Sequence, residues 1–386
     1  MSDLDKLLEA LDDLAAKAED AVLATVVKVE GSAYRRPGAR MLIPQFGGAV
    51  GTVSGGCLES DLAKKAWWLT EGGQPIVRTY STGMADDEVG EEEELTFGLG
   101  CNGTVHILLE RVRASGPLLP ASLLRRVRTE GRPAALATVI GGADALIGAR
   151  VALSPAGELQ LGAGRAALAE LLTDDLHAAF ERRRTTLHRY ASDEGEIEVL
   201  IEYLAPPRKL VVFGAGHDAQ PLVAMARQQG WQVTVIDARS HFARRERFAG
   251  ADQVLHLALP ASPPAELIAG AAVIVMSHSY AQDRHWLAQT LNLDPAYIGQ
   301  LGPRSRTERL LDEIDGSRVT PAFARLHYPM GLDIGGDTPE NVALSVLAEV
   351  TAHFNGRSGG GLKERAAPIH DTEPMLAHGA SSMAGA

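Results

Sequence analysis

The chain has two cysteines, and both sit among glycines. The first lies in Gly51-Thr52-Val53-Ser54-Gly55-Gly56-Cys57-Leu58-Glu59, the second in Leu95-Thr96-Phe97-Gly98-Leu99-Gly100-Cys101-Asn102-Gly103. Glycine tolerates positive φ and close approach of other groups. Gly55 and Gly56 therefore predict a tight turn whose N–H groups can face an anion or a ligand. A helical pattern over Leu58 to Leu69 puts Cys57 beside a helix N-terminus, where the dipole favours the thiolate. The alternative for Cys57 is a small thiol packed under a turn. Upstream, Arg35, Arg36 and Arg40 crowd the loop from Glu30 to Arg40. They are either paired donors for an anion or ordinary surface charge. Structural zinc needs four ligands, usually in close pairs, and the chain has no C-x-x-C.

A second group of residues lies in the later half. Lys209 to Phe213 reads as a buried strand, followed at once by Gly214-Ala215-Gly216-His217-Asp218-Ala219. This matches G-x-G-x-x-A, with a helix predicted from Pro221 to Gln229. Gly214 allows the turn, Gly216 allows a pyrophosphate to approach, and Asp237 stands where an acid holds a ribose hydroxyl. Arg239 leaves a 2′-phosphate open, so NAD(P) is a candidate ligand. His217, inside the turn, is a candidate donor or proton carrier, or else a surface histidine. Ser277-His278-Ser279 falls at a strand's carboxyl end, and Arg304 and Arg306 follow Gly302-Pro303 as candidate anion contacts. Thr338-Pro339 predicts the start of a helix running on to Phe354.

The elements that must position these residues alternate between strand and helix, which predicts an α/β protein. Residues 1–205 read as a mixed α/β domain with a core motif over 20–112. A degenerate internal repeat covers 117–204: Leu23-Ala24-Thr25-Val26-Val27 returns as Leu136-Ala137-Thr138-Val139-Ile140, and Gly38-Ala39-Arg40 as Gly148-Ala149-Arg150. Pro206-Pro207 marks a boundary. Residues 206–356 read as a Rossmann-like domain with a doubly wound parallel sheet, and 357–386 as a flexible tail. With 37 basic against 49 acidic residues the net charge is −12. That excludes the basic footprint of a nucleic-acid binder. No apolar run is long enough to span a bilayer. Two cysteines make no disulfide framework and no signal peptide opens the chain, so the expectation is a cytoplasmic protein.

Taken together, the chain resembles the XdhC/CoxI family of molybdenum hydroxylase accessory proteins. The resemblance rests on Gly31-Ser32, Arg36-Pro37-Gly38, Ser54 to Glu59, Gly98 to Cys101, Phe213 to His217, and Gly331-Leu332-Asp333-Ile334-Gly335-Gly336 with Thr338-Pro339-Glu340. It implies a chaperone that binds the molybdenum cofactor, holds it while a cysteine desulfurase supplies the terminal sulfur, and delivers it to an apo xanthine dehydrogenase-type hydroxylase. It also implies a homodimer. Cys57 and Cys101 become candidates for the metal or for a persulfide, and Arg36, with Arg35 and Arg40, for phosphate or pterin. Gly214, Gly216 and His217 would line the Rossmann-like domain's share of the site. Ser277-His278-Ser279-Tyr280 departs from the family pattern, which runs Thr-His and then acidic residues. Two other readings stay open: an NAD(P)-dependent oxidoreductase using His217 or His278 as proton donor, and a sulfur-transfer enzyme relaying a persulfide from Cys57 to Cys101.

Overall fold

The computed structural model describes residues 2–56, 58–81, 103–114, 116, 118–162, 166–192, 195–366 and 375–378. Both cysteines, and the acidic run from Asp86 to Glu94, lie outside the described residues. The chain divides into two compact units, the first formed by Asp3–Pro206 with Asp371–Ala386 and the second by Pro207–His370 with Met1–Ser2.

The first unit is the same motif built twice. The first copy runs α1 (Asp3–Lys17), β1 (Ala21–Gly31), β2 (Arg40–Pro44), β3 (Val50–Gly51), α2 (Glu59–Leu69), β4 (Ile76–Ser81) and β5 (Gly103–Val112). The second runs α3 (Leu119–Glu130), β6 (Ala134–Gly141), β7 (Arg150–Leu153), β8 (Leu159–Leu161), α4 (Ala166–Arg182), β9 (Thr186–Ser192) and β10 (Gly195–Leu204). The sheets are ordered β3-β2-β1-β5-β4 and β8-β7-β6-β10-β9, which is one topology used twice. Register agrees as well. Thr25 pairs with Arg40 as Thr138 pairs with Arg150, and Leu23 faces Glu110 as Leu136 faces Glu202. The repeat inferred from Leu-Ala-Thr-Val and Gly-Ala-Arg is therefore a duplicated fold.

Period-2 alternation assigns each strand two faces. Val22, Ala24 and Val26 pack on Leu58, Leu62 and Ala66 of the first copy, while Ala135, Ala137 and Val139 pack on Leu172, Leu176 and Ala179 of α4. The opposite faces meet each other. Leu23 and Leu42 share a core with Leu136 and Ala152, together with the leucine stripes of α1 and α3.

Across this shared core run two charged pairs. Arg40 donates from Nη2 to both oxygens of Glu202, at 2.9 and 2.8 Å. Arg150 donates from Nη1 and Nη2 to Glu110, at 2.7 and 2.5 Å. Each arginine thus reaches the glutamate of the other copy. Side-chain exposure is 9 and 4% in one pair and 10 and 7% in the other, so water does little to screen them. Gly38 makes room: at φ +94°, a Cβ there would lie 2.8 Å from Glu202 Oε1.

The second unit is a parallel sheet of β11 (Lys209–Phe213), β12 (Gln232–Asp237), β13 (Gln253–His256), β14 (Ala272–Val275), β15 (Tyr297–Gln300) and β16 (Leu326–His327). Its helices are α5 (Ala219–Gln228), α6 (Ala265–Ile268), α7 (Tyr280–Leu291), α8 (Arg304–Asp312) and α9 (Pro339–Phe354). The strand order β13-β12-β11-β14-β15-β16 is the Rossmann order, reversing direction between β11 and β14. Both faces are covered: Leu210 and Val212 meet α5 and α9, whereas Val211 and Phe213 meet Trp286. Thr338 caps α9 by accepting from the Asn341 amide at 3.2 Å.

One further strand, β17 (Met375–His378), pairs in parallel with β9 of the first unit. It lies within the stretch where composition predicts only a flexible tail. The parallel pairing adds a sixth strand beside β9.

Breaking one of the crossed pairs strands a buried charge. Arg150→Met alone is expected to cost about 3–5 kcal/mol, and adding Glu110→Leu to recover much of that. Urea unfolding of the single and double variants measures both.

Candidate functional site

In the first unit, the turn before α2 is organised by two side chains. Glu59, the first residue of α2, turns its carboxylate back along the chain. Oε1 accepts the Val53 amide at 3.0 Å, the Ser54 amide at 2.8 Å and the Thr52 hydroxyl; Oε2 accepts the Ser54 hydroxyl at 2.5 Å. Ser54 Oγ in turn accepts the amides of Gly56 at 3.2 Å and Leu58 at 3.1 Å. Both chain neighbours of Cys57 are thus tied to one buried oxygen. Gly56 stands at φ +111° with open space where a Cβ would be, and Gly55 lies against the ring of Tyr34. Burial would raise the Glu59 carboxyl, but the Ser54 and Thr52 hydroxyls and the Ser54 amide outweigh it and push it down to about 2. The sequence pattern assigns the turn's N–H groups to a ligand. Those of Val53, Ser54, Gly56 and Leu58 are instead satisfied inside the turn.

The arginine-rich loop is also largely committed. Arg40 belongs to the buried pair with Glu202 and also donates to the Gly38 carbonyl at 2.7 Å, so it is not available to a phosphate or pterin. Arg35 pairs with Asp3 at 3.3 Å. Arg36 is half-buried, and its carbonyl accepts the Ala39 amide in the turn that sets up Gly38.

In the second unit, the glycine turn does something other than its motif suggests. Gly214 has φ +118°, and a Cβ there would lie 2.5 Å from the Met276 carbonyl, so this glycine permits close approach of β11 to the end of β14. Asp237 is fully buried and saturated. Its Oδ2 accepts the Ala215 amide and Arg239 Nη2, both at 2.8 Å, and its Oδ1 accepts the Arg239 amide and Nε. Burial would raise this carboxyl, yet Arg239 and the Ala215 amide hold it below its usual range. No lone pair is left for a ribose, which corrects the expectation for Asp237. Gly216 does not face an open phosphate site either: a Cβ there would meet Asp218 Oδ1 at 2.5 Å. An acid lies where a pyrophosphate would approach. His217 is exposed.

The open space lies nearby, at the carboxyl ends of β11, β14 and β15. A cleft of about 460 Å³ is lined by Asp218, His278, Asp283 and Arg306 with apolar Met276, Leu301 and Val342. His278 donates from Nε2 to Asp218 Oδ2 at 2.6 Å and is held at φ +58°, a left-handed conformation costly for a non-glycine residue. The anchoring of Ser277, the residue before it, explains the strain. Asp283 Oδ1 accepts the Ser277 amide at 3.1 Å, Arg239 donates to the Ser277 carbonyl at 3.2 Å, and Arg306 pairs with Asp283 Oδ2 at 2.7 Å. Arg304 stacks over Tyr328 at 5.1 Å and does not line the cleft. Asp218, Asp283 and Asp337, which also lines the cleft, are not singled out by the sequence, because Asp218 and Asp283 meet only through the β11–β14 reversal and Asp337 reaches them from the start of α9. The one signal pointing to them is Asp218's place inside the glycine motif.

Known proteins place these features in context. The description "XdhC and CoxI family" matches residues 14–81, and "XdhC Rossmann domain" matches residues 210–350. A Bacillus subtilis (strain 168) protein named as a probable xanthine dehydrogenase subunit is 31% identical over 362 residues, 88% of this chain and 95% of its own length. The molybdenum cofactor insertion chaperone PaoD of Escherichia coli (strain K12) is 25% identical over 335 residues, 86% of this chain and 83% of its own. Among solved structures, a Bacillus halodurans protein described as a xanthine dehydrogenase superposes with a TM-score of 0.68 at 27% identity. The match covers 95% of this chain and 98% of that one. No helix among the described residues is long and apolar enough to cross a membrane.

Because Glu59 is held below its usual value of 4.5, its contribution to stability is complete above that pH and is lost as pH falls toward 2. Discounted for its partial exposure, Glu59→Gln is expected to cost about 1–2 kcal/mol at pH 7 and to flatten the pH dependence in that window. Urea midpoints measured from pH 7 down to pH 2 check it.

Proposed function

The chain belongs to the XdhC and CoxI family, and on that footing we propose that it is an accessory factor in the maturation of a molybdenum hydroxylase. In this reading it binds the molybdenum cofactor, holds it while a cysteine desulfurase supplies the terminal sulfur, and passes it to a xanthine dehydrogenase-type apo-enzyme. The names of two relatives, a cofactor insertion chaperone and a xanthine dehydrogenase subunit, support the cargo and the client. A homodimer is the assembly that goes with this role.

The observation that carries the reading is the hydrogen-bonded frame around Cys57. A soft metal or a transferable sulfur calls for a thiolate, and a thiolate that must receive cargo gains from a backbone already ordered before binding. Ser54 and Glu59 supply that order through the backbone amides of Val53, Ser54, Gly56 and Leu58. Gly55 and Gly56 are exposed, and Arg36 is the loop arginine proposed to face the cofactor's anionic end. Cys101 is proposed as the second thiol, for the metal or a persulfide. Of the glycine turn in the Rossmann-like unit, only the exposed His217 is proposed as a ligand contact, because Gly214 and Gly216 are taken up by Met276 and Asp218. A nicotinamide dinucleotide draws no support from that unit, where Asp237 is saturated and Asp218 covers Gly216.

The test is the small-molecule content of protein purified without oxygen from a host that makes molybdenum cofactor. Wild type is expected to carry molybdenum, read by mass spectrometry, and pterin, read by fluorescence. Cys57→Ala is expected to lose about tenfold or more of both while keeping its unfolding midpoint. Nicotinamide nucleotide without pterin in both proteins would overturn the proposal. Cys101→Ala, assayed beside it for maturation of a hydroxylase in cells, separates holding from relay. A relay requires both thiols, so full maturation with either one alone excludes it.

A further inference from the structure

The cleft in the second unit has no assigned ligand, and its chemistry narrows what it accepts. Its volume of about 460 Å³ suits one heterocycle with a short substituent. Met276, Leu301 and Val342 offer apolar wall on which a flat ring can lie. Its charged groups are mostly acceptors, and most are already engaged. Asp283 is taken up by Ser277 and Arg306, and Asp218 holds His278. Asp337 differs. It lines the cleft, is exposed, and accepts no hydrogen bond from any described residue. It sits immediately before Thr338, the cap of the 16-residue helix α9.

An ionised carboxylate presents two oxygens side by side and matches a ligand with two adjacent N–H donors. We propose that this cleft binds a 2-amino-4-oxopyrimidine ring, the edge shared by pterins and guanine, with Asp337 accepting the ring N–H and the amino N–H together. Arg306, whose Nη1 is spent on Asp283, keeps further N–H donors for the ligand's carbonyl or phosphate oxygen. The same arrangement disfavours adenine, whose corresponding edge offers one donor and one acceptor. It disfavours a dinucleotide's pyrophosphate through Asp218, which lines the cleft beside Gly216. The proposal deepens the carrier reading and rests on it only for which ring is carried.

The experiment titrates the full-length, cargo-free protein with pterin, GMP, AMP and NADH, following pterin by fluorescence and the nucleotides by calorimetry. Binding of pterin or GMP that weakens about tenfold or more in Asp337→Asn, with an unchanged unfolding midpoint, is the expected result. Asp337→Glu, which keeps the carboxylate, is expected to bind better than Asp337→Asn. Pterin without GMP assigns the cleft to the cofactor's ring, GMP without pterin assigns it to a guanine nucleotide, and both together mean that the shared edge alone is read. The proposal is overturned if Asp337→Asn binds as wild type does, if NADH or AMP binds and neither amino-oxo ring does, or if none of the four binds. Failure of the carrier reading shows separately, as wild type that lacks molybdenum and pterin after purification from a cofactor-making host.

Discussion

Two arginine–glutamate pairs, each crossing from one copy of a repeated motif to the other, set the architecture of the first unit. Arg40 needs Glu202 and Arg150 needs Glu110, and all four are nearly excluded from water. Buried ion pairs contribute little net stability, because desolvation consumes most of the attraction. Their effect is on the alternatives. Any other docking of the two sheets would leave four charges buried without partners, at a cost far above a domain's stability margin. The crossed pairs therefore act as a register key. The apolar faces of β1 and β6 meet in one way, and the sheets carrying the cysteine turn are fixed by it.

Much of this was legible in the sequence, for a local reason. Strand alternation, the turn at Gly38 and its counterpart Gly148, and the Leu-Ala-Thr-Val echo are short-range patterns, so the duplication could be read directly. The glutamates could not. Glu110 and Glu202 stand in the last strand of each copy, far along the chain from the arginines they meet, and nothing beside them marks a partner. Arg40 consequently looked like an anion contact when it is a structural cation. The Rossmann-like sheet was legible for the same local reasons, from buried strands separated by helices and a glycine turn.

The functional detail of that turn was less legible. The G-x-G-x-x-A spacing records a sharp bend and a close strand, and both are present. Whether the bend holds phosphate depends on neighbours brought in by tertiary structure. Here Arg239 and the Ala215 amide consume Asp237, and Asp218 faces Gly216. The fold is retained while its usual contacts are redirected, as expected where function belongs to sites and not to folds. The strained His278 belongs to the same rearrangement. Its flanking serine is anchored from two sides, which forces the histidine out toward the cleft.

The duplicated motif has a practical consequence. The second copy keeps the glycine–alanine–arginine turn, the sheet order and the strand register, but has Gly162-Ala163-Gly164-Arg165 after β8 in place of the serine, cysteine and glutamate of the first. Matched strand positions in the two copies share sheet order and register while the turns that follow β3 and β8 differ in sequence. The chain therefore contains its own control: a change made at one site can be repeated at its twin, and what the two have in common belongs to architecture. What remains after that subtraction is the work of the copy that kept its thiol.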